Sequence, residues 1–374
     1  ARAASDGEIA RMAELLDEAL TAGAAGFSTG LIYTPGSYAD TAEVTALARV
    51  AARHGKPYVT HLRDEMSGVE GALAEAVAIA RDSGAALHVS HHKTAGKYAW
   101  GRTEKTLPLL AGLRAEGMDV TCDVYPYTAG STNLPAMLPP WAHDGGLPRL
   151  LERLRDPAQR ELMRTAVRDG VPGWENTVGN GGWDRISVAC ARRHPEYQGR
   201  TVAELAAAHD VDALDLVADL LTAEDGDVTI ISHSMREDDV RRVLATPFAM
   251  IGSDGVPKPG LPHPRWAGTL VRVLGHYARE VELFGPFESV GLVAAVRKMT
   301  GATAARFGLA GRGVIRDGAH GDLVVFDPER VADRATFEDP LAAPEGVRMV
   351  VVAGVVVVRD DEVLAARPGR VVWC

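Results

Sequence analysis

The chain has little cysteine, no excess of basic charge and no long apolar run, and each shortage excludes a class of protein. Its 374 residues hold 3 cysteines, too few and too scattered for a disulfide framework or a CxxC zinc knuckle. This usage predicts a reducing, cytoplasmic setting. The net charge is −10, so we expect no nucleic-acid partner and no anionic membrane surface. No apolar stretch reaches the roughly 18 residues of a membrane span, and no signal peptide is recognisable.

What the chain does have is an alternation of amphipathic helices and short apolar strands. Apolar residues of 6–20 recur at three- and four-residue steps, which predicts a first helix. The next predicted strands are 26–31, 58–61, 86–90 and 118–125, separated by helices 41–54, 68–82 and 103–116. Strand-and-helix repeats of about thirty residues predict parallel βαβ units, and near-continuous apolar strands predict a sheet covered on both faces.

The rhythm changes after Tyr127. Residues 131–185 are rich in Pro, Gly, Trp and charge, which predicts an inserted lid rather than more barrel. Predicted strands 185–191 and 228–232 then return to the strand-and-helix units, and from Gly311 the pattern becomes all-β.

These patterns predict an α/β chain in two parts. Residues 1–306 are expected to form a barrel of parallel βα units that carries the lid at about 131–185. Residues 307–374 are expected to form a small C-terminal β-domain. No internal repeat beyond the βα rhythm is present.

Two histidines thirty residues apart each end a predicted strand. His61 closes the strand that begins at Tyr58, His91 follows the strand over 86–90, and Asp254 ends a later one. Imidazoles and a carboxylate at the same end of parallel strands suit a hydrolytic zinc site, because they hold the ion rigidly and leave one coordination position for water. The sequence therefore predicts a metal site formed by His61, His91 and Asp254.

Other polar residues of these strands have simpler explanations. Strand alternation turns His88 and His92 away from the predicted site. His233 also ends a strand and is the strongest competitor as a ligand, but we favour a supporting role or none. Asp123 is expected to cap the turn that follows it, and Cys122 to fill the core.

Eight short motifs lie in a fixed order along the chain. They are Gly23–Leu31, Thr60–Glu65, Ser90–Lys93, Asp123–Tyr127, Gly252–Gly255, His263–Arg265, Arg297–Thr300 and Gly313–Ile315. Together they resemble the N-acyl-D-amino-acid deacylases (D-aminoacylases) of the amidohydrolase superfamily. The likeness runs from residue 7 almost to the C-terminus. The ordered set is specific, whereas any one of the motifs alone is weak.

The resemblance implies a TIM-like (β/α)8 metal-dependent hydrolase barrel with a β-sandwich domain. It also implies zinc-dependent hydrolysis of the amide bond of N-acyl-D-amino acids to a carboxylate and a free D-amino acid. His61 and His91 would be ligands of one tightly held zinc. Asp254 would be the catalytic carboxylate, close enough to a second metal position to touch it.

The same resemblance implies that four residues hold the α-carboxylate of the substrate. They are Lys93, Tyr125, Ser131 and Arg265. The set is chemically reasonable on its own, because a carboxylate needs cationic and hydroxyl donors and an arginine in a rigid loop can bind it bidentately.

One departure from the family pattern concerns the first barrel strand. The family carries a His-x-His pair there and a metal-bridging cysteine on an early strand, and this chain contains no His-x-His. Its first strand, 26–31, corresponds to roughly the middle of the barrel. We therefore expect the first three or so strands and the N-terminal part of the β-sandwich to be absent, and the sequence to be part of a longer enzyme.

Two alternatives stay open. A cyclic-amide hydrolase (dihydroorotase- or hydantoinase-like) would share the zinc site but would not need Lys93, Tyr125 and Arg265 arranged for a free α-carboxylate. An inactive partial chain that binds a partner chain is the other alternative, and the lack of a His-x-His pair favours it. Activity assays and elemental analysis for zinc separate the three. The sequence leaves the oligomeric state open.

Overall fold

Three β-sheets surrounded by helices make up the chain, which the computed structural model describes over residues 2–374. The strands are β1 Phe27–Gly30, β2 Tyr58–His61, β3 Leu87–Val89, β4 Val120–Val124, β5 Gly130–Asn133, β6 Ile186–Cys190, β7 Thr229–Ser232, β8 Ala249–Ile251, β9 Leu323–Phe326, β10 Val347–Val352, β11 Val355–Arg359 and β12 Glu362–Val363.

Helices occupy most of the connections between strands. They are α1 Asp6–Thr21, α2 Thr41–Arg53, α3 Val69–Ser83, α4 Thr103–Ala115, α5 Gly146–Arg155, α6 Pro157–Asp169, α7 Thr177–Gly181, α8 Val202–His209, α9 Ala213–Ala223, α10 Glu237–Ala245, α11 Arg265–Arg272, α12 Leu292–Met299 and α13 Gly301–Arg306. Two π-helical segments follow α11 and precede α12, over Val273–Glu280 and Phe287–Gly291.

The first sheet is parallel and has five strands in the order β1-β2-β3-β4-β8. Its first three crossovers each contain one helix, α2, α3 or α4, so the predicted βαβ units are confirmed. All five strands point the same way, and their carboxyl ends therefore meet at one edge. Strands β1 and β8 are the two edges, and within residues 2–374 the sheet does not close on itself.

Helix α3 shows why the crossover helices pack against this sheet. Leu73, Ala76, Val77 and Ala80 lie at three- and four-residue steps and are all buried. The helix ends at Gly84, which adopts the left-handed conformation (φ 76°) that lets the chain turn back toward the next strand. The apolar stripe of the helix thus covers one face of the sheet.

The second sheet differs from the sequence prediction. Strands 185–191 and 228–232 were expected to return to the barrel, but β6 and β7 pair antiparallel with each other, and β7 pairs antiparallel with β5. That expectation is wrong, because β5, β6 and β7 form a separate antiparallel sheet. We call residues 130–232, which this sheet spans, the inserted unit; the predicted lid at about 131–185 stays a prediction. Residues of β6 and β7 are buried throughout, and a continuous apolar run has the same pattern in a parallel or an antiparallel setting.

The inserted unit has a hydrophobic core of its own. Buried residues around the parallel sheet form one cluster that includes Tyr58, Leu73 and Leu110. A separate cluster in the insert includes Leu205 and Ile230. Each set of contacts is contiguous within itself, so the insert is a second packed unit beside the parallel sheet.

The third sheet confirms the all-β character of the C-terminal segment. Its antiparallel strands lie in the order β12-β11-β10-β9. The division of the chain at residues 306 and 307 stays a prediction. All three cysteines are free thiols, and no helix in the described part of the chain is both long and apolar enough to cross a membrane.

We predict that Leu73→Ala lowers the free energy of unfolding by about 2–5 kcal/mol, because it opens a cavity beneath α3. Leu73 is fully buried, whereas Leu109 on α4 is 44% exposed and provides the control. Leu109→Ala should change stability by no more than about 0.5 kcal/mol. Urea denaturation followed by circular dichroism measures both, and equal losses would contradict the packing described for α3.

Candidate metal centre

The carboxyl ends of the parallel strands open into a cavity of about 420 Å³. All seven residues that the sequence predicted for the site line it: His61, His91, Lys93, Tyr125, Ser131, Asp254 and Arg265. The inserted unit supplies the facing wall, with Met137 and Glu175 among its residues. The site is therefore built between the parallel sheet and the insert.

His61 and His91 face each other at the edge of the sheet. His61 is the last residue of β2, and His91 lies two residues beyond β3. The Nδ1 atom of His61 lies 3.1 Å from Nε2 of His91. Two nitrogen ligands bound to one tetrahedral zinc at about 2.0–2.1 Å lie about 3.3 Å apart. The two imidazoles thus converge at the spacing that one ion requires.

A third residue, Glu65, completes a compact donor group that sequence reasoning missed. One donor atom from each of His61, Glu65 and His91 lies within 4.8 Å of the others. The Glu65 oxygens approach His91 Nδ1 at 3.1 Å and His61 Nε2 at 3.6 Å. These nitrogens are the ones turned away from the facing Nδ1–Nε2 pair, so the carboxylate lies behind both rings and is within hydrogen-bond distance of His91.

The protonation state of His61 fits a metal ligand. Its Nε2 atom is buried and has no hydrogen-bond partner. Burial lowers the pKa of His61 to about 3, which keeps the ring neutral. With the proton on Nε2, the lone pair lies on Nδ1, the atom that faces His91. Neutral imidazole nitrogens beside a carboxylate form a donor set that zinc accepts. The residues present therefore fit a zinc ion.

Lys93 is held by Glu65 rather than left free. Its Nζ lies 2.7 Å from both Glu65 oxygens and 2.6 Å from His91 Nδ1. Burial lowers the pKa of Lys93, but the Glu65 carboxylate outweighs burial and raises it above its ordinary value. Lys93 is thus a cation whose charge is balanced inside the protein.

Arg265 is the buried cation with unused donors. Its side chain is 2% exposed, and its Nη2 atom lies 2.9 Å from Oδ2 of Asp254. The same Nη2 donates to the Ser131 carbonyl at 3.3 Å, and the guanidinium stacks over the Tyr125 ring at 4.5 Å. The Nε and Nη1 groups are buried without a partner. A buried donor pair of this kind is costly unless a ligand satisfies it.

The residue that orients Arg265 is His263, which the sequence had marked only as part of a motif. Its Nδ1 accepts the Arg265 backbone N–H at 3.0 Å, and Nε2 lies 2.8 Å from the Ala129 carbonyl. Burial lowers the pKa of His263 to about 3. The ring is therefore neutral, with the proton on Nε2, and it fixes the start of α11.

The other predicted site residues occupy the wall next to Arg265. Asp254 follows β8 and adopts a left-handed conformation (φ 48°). It lines the cavity but does not belong to the compact donor group of His61 and its neighbours. The Ser131 hydroxyl donates to the Ile230 carbonyl at 2.8 Å, and the Tyr125 hydroxyl lies 3.7 Å from Met235 Sδ.

The competing histidines lie outside the donor group of His61, Glu65 and His91. The Nε2 atom of His92 pairs with the Thr106 hydroxyl at 2.8 Å, and Nε2 of His233 lies 3.3 Å from the Ser187 hydroxyl. His88 pairs with Asp123 at 2.7 Å behind the strands.

Glu175 is a second carboxyl group that sequence reasoning missed. Its Oε2 accepts the Glu65 backbone N–H at 2.5 Å, and the side chain is 7% exposed. Burial, reinforced by the Glu65 charge, raises the pKa of Glu175 well above its ordinary value. The group therefore enters the cavity as a neutral acid. It lies 110 residues from Glu65 in an irregular segment, where no local pattern could indicate it.

Comparisons with known proteins bear on this arrangement. The Amidohydrolase family matches residues 1–358. The D-aminoacylase of Alcaligenes xylosoxydans xylosoxydans is 40% identical over 370 residues, which are 99% of this chain and 66% of that protein. The chain therefore spans about two thirds of the length of this relative.

Solved structures resemble this chain over its whole length. The N-acyl-D-glutamate deacylase of Bordetella bronchiseptica, complexed with zinc and a phosphonate inhibitor, superposes with a TM-score of 0.81 at 36% identity. That match covers 100% of this chain and 67% of the other. An L-hydantoinase from Arthrobacter aurescens matches with a TM-score of 0.52 at 15% identity, over 100% of this chain and 72% of the other. The likeness to the hydantoinase shows the fold alone.

We predict that His61→Ala and His91→Ala each remove bound zinc. Zinc content should fall from about one ion per chain to below about 0.1, because the remaining donors cannot complete the site. Elemental analysis after zinc loading and gel filtration measures it. His194→Ala is the control, since that ring pairs with Glu224 at 2.8 Å outside the cavity. Wild-type zinc content in both imidazole variants would contradict the site.

We also predict a pH-dependent gain from Glu175→Gln. Above its ordinary pKa of 4.5, Glu175 ionises in the unfolded chain but keeps its proton in the folded one, so wild-type stability falls as pH rises. The glutamine side chain keeps an oxygen that accepts the Glu65 N–H, and it does not ionise. The variant should therefore gain about 1–2 kcal/mol over wild type between pH 5 and pH 7.5.

Urea denaturation at the two pH values measures this gain. Glu338→Gln, at an exposed position, is the control and should show no such trend. A difference between Glu175→Gln and wild type that is independent of pH would mean that Glu175 is ionised in the folded chain.

Proposed function

Because the chain belongs to the amidohydrolase family, we propose that it forms the catalytic part of an enzyme that hydrolyses N-acyl-D-amino acids to a carboxylate and a free D-amino acid. One observation carries this proposal. The buried guanidinium of Arg265, with two unpartnered N–H groups, lines the same cavity as the facing imidazoles of His61 and His91. A carboxylate anchor beside a zinc-binding pair suits an N-acyl amino acid, which has a free acid next to its amide.

The α-carboxylate binds at Arg265. One of the unpartnered groups of Arg265, Nε or Nη1, donates to it, which removes the cost of a buried unsatisfied donor. The two groups lie on opposite edges of the guanidinium, so one carboxylate does not accept from both. Tyr125 lies under the guanidinium and Ser131 next to it, and both hold the arginine in place. Lys93 adds positive potential from across the cavity, although Glu65 holds its ammonium group.

We propose zinc as the cofactor, held by His61 and His91 with Glu65 behind the two rings. Zinc bound there polarises the amide carbonyl and lowers the pKa of water. Asp254 takes the proton from the attacking water and passes it to the departing nitrogen. Its ion pair with Arg265, 2.9 Å long, keeps the carboxylate oriented and ties the proton-transfer group to the substrate anchor.

Selectivity for the D-enantiomer needs three fixed points, because two contacts alone accept either configuration at Cα. Arg265 holds the carboxylate, the imidazole pair lies at the amide, and the insert limits the space for the substrate side chain. The substrate side chain then faces the insert, where Met137 and Glu175 lie. We expect the partner to be a small molecule and the setting to be a reducing cytoplasm.

The cyclic-amide alternative has less support. A hydantoin or dihydropyrimidine has no free α-carboxylate, and it would leave the Nε and Nη1 groups of Arg265 buried and unsatisfied. The inactive-chain alternative predicts neither zinc binding nor turnover.

The test is hydrolysis of N-acetyl-D-amino acids, with their L-enantiomers and hydantoins as comparisons. We expect turnover of the D-substrates only. Asp254→Asn should lower kcat by about 10²–10⁴-fold, because it removes the proton-transfer group, while zinc content stays near that of wild type. Asp210→Asn is a matched control, since Asp210 is also an exposed aspartate with a left-handed backbone (φ 54°).

Three outcomes would overturn parts of the proposal. Turnover of hydantoins without turnover of D-substrates would favour the cyclic-amide alternative. A chain that neither binds zinc nor turns over any substrate would favour the inactive-chain alternative. Loss of most bound zinc in Asp254→Asn would make Asp254 a structural ligand rather than the proton-transfer group.

A further inference from the structure

The backbone of His91 has an unusual conformation for a residue that places an imidazole at the site. Its φ is 35°, in the left-handed region that few residues other than glycine adopt. The turn after β3 needs this conformation to aim the ring at His61. Such a backbone persists only where surrounding contacts hold it.

The contact that holds it comes from Asp123 on the neighbouring strand β4. The Oδ1 atom of Asp123 accepts the His91 backbone N–H at 2.8 Å. The Asp123 carbonyl accepts the next backbone N–H, that of His92, at 2.7 Å. One residue of β4 therefore binds two successive amides of the turn.

The carboxylate of Asp123 is itself fixed from behind. Its Oδ2 accepts from His88 Nε2 at 2.7 Å, and His88 Nδ1 lies 2.8 Å from the Thr121 hydroxyl. His88 is 1% exposed, and its ring meets Phe307 edge-on at 5.3 Å. Asp123 therefore cannot rotate without breaking a buried hydrogen bond.

The other side of Asp123 abuts the strand that leads to Asp254. A Cβ atom at Gly252 would lie 2.9 Å from Oδ1 of Asp123. The absence of a side chain there lets β8 approach the carboxylate closely. The same carboxylate is thus in contact with the turn that carries His91 and with the end of β8.

We propose that Asp123, backed by His88 and Thr121, is a positioning residue that holds the His91 backbone left-handed and so sets the direction of its imidazole. The inference rests on the proposed function, because the imidazole it aims is the proposed zinc ligand. Asp123 touches neither the ion nor the substrate. It acts through one backbone N–H, and this distinguishes it from Glu65, which contacts the rings themselves.

The test compares Asp123→Ala with two other variants. Asp123→Asn keeps an oxygen that accepts the His91 N–H. Its amide NH₂ can donate to Nε2 of His88 if the proton of that ring moves to Nδ1, which then donates to the Thr121 hydroxyl. Asp239→Ala is the matched control. Asp239 is 3% exposed and accepts the Gly101 N–H at 2.7 Å on α10, away from the cavity.

Zinc affinity, the spectrum of the cobalt-substituted protein and hydrogen–deuterium exchange are measured on each variant. Competition with a chelator gives the zinc dissociation constant. We expect it to rise about 10–100-fold in Asp123→Ala, as for other residues that orient a metal ligand. It should change little in Asp123→Asn and Asp239→Ala. Cobalt substitution should show an altered visible spectrum in Asp123→Ala alone. Hydrogen–deuterium exchange of the metal-free chain should be faster over residues 90–93 in Asp123→Ala alone.

The zinc-binding measurement tests the proposed metal site, and the exchange measurement tests the positioning role of Asp123, so the two proposals can fail separately. A wild-type chain without zinc affinity would overturn the proposed metal site, while the exchange experiment still decides the role of Asp123. Unchanged exchange at 90–93 in Asp123→Ala would overturn the positioning role. Equal weakening of zinc binding by Asp123→Ala and Asp239→Ala would also overturn it, because the loss would then reflect general destabilisation.

Discussion

The buried carboxylate of Glu65 is the group on which the rest of the site depends. It faces the outer nitrogens of His61 and His91 and binds the ammonium of Lys93 through both oxygens. Burial alone would favour the neutral acid, but the neighbouring cation and imidazoles reverse this and lower the pKa of Glu65 well below its ordinary value. One charge thus neutralises a buried lysine beside the two rings, while the adjacent Glu175 stays protonated because it lacks such partners.

Two independent units meet at this group. The parallel sheet supplies the imidazoles at its carboxyl edge, where side chains of neighbouring strands converge. The insert supplies Glu175, which accepts the Glu65 backbone N–H. The candidate site is therefore built on the parallel sheet on the side of the imidazoles and is closed by a wall that packs around its own core.

The sequence predicted those parts of the site that depend on residues close together in the chain, and it missed those that depend on distant contacts. Strand-end residues such as His61 and His91 could be found because a strand, its end and its polar terminus lie within a few consecutive positions. Glu65 lies only four residues after His61, but a polar residue in a loop has no periodic pattern. The position of Glu175 depends on a contact across 110 residues. The sequence also does not indicate whether β6 and β7 join the parallel sheet or pair antiparallel with each other, because a buried apolar strand has the same pattern in both settings.

The separate core of the insert has a consequence for how related chains can diverge. Substitutions on that wall alter the shape and polarity offered to a substrate's variable group, and their packing cost is confined to one cluster. The imidazoles and their supporting carboxylate belong to the framework of the other cluster, and Glu175 is the wall residue that contacts it, so substitutions elsewhere on the wall leave the imidazoles in place. Substrate preference can therefore change through substitutions in the insert alone, without intermediate variants that lose the metal-binding residues.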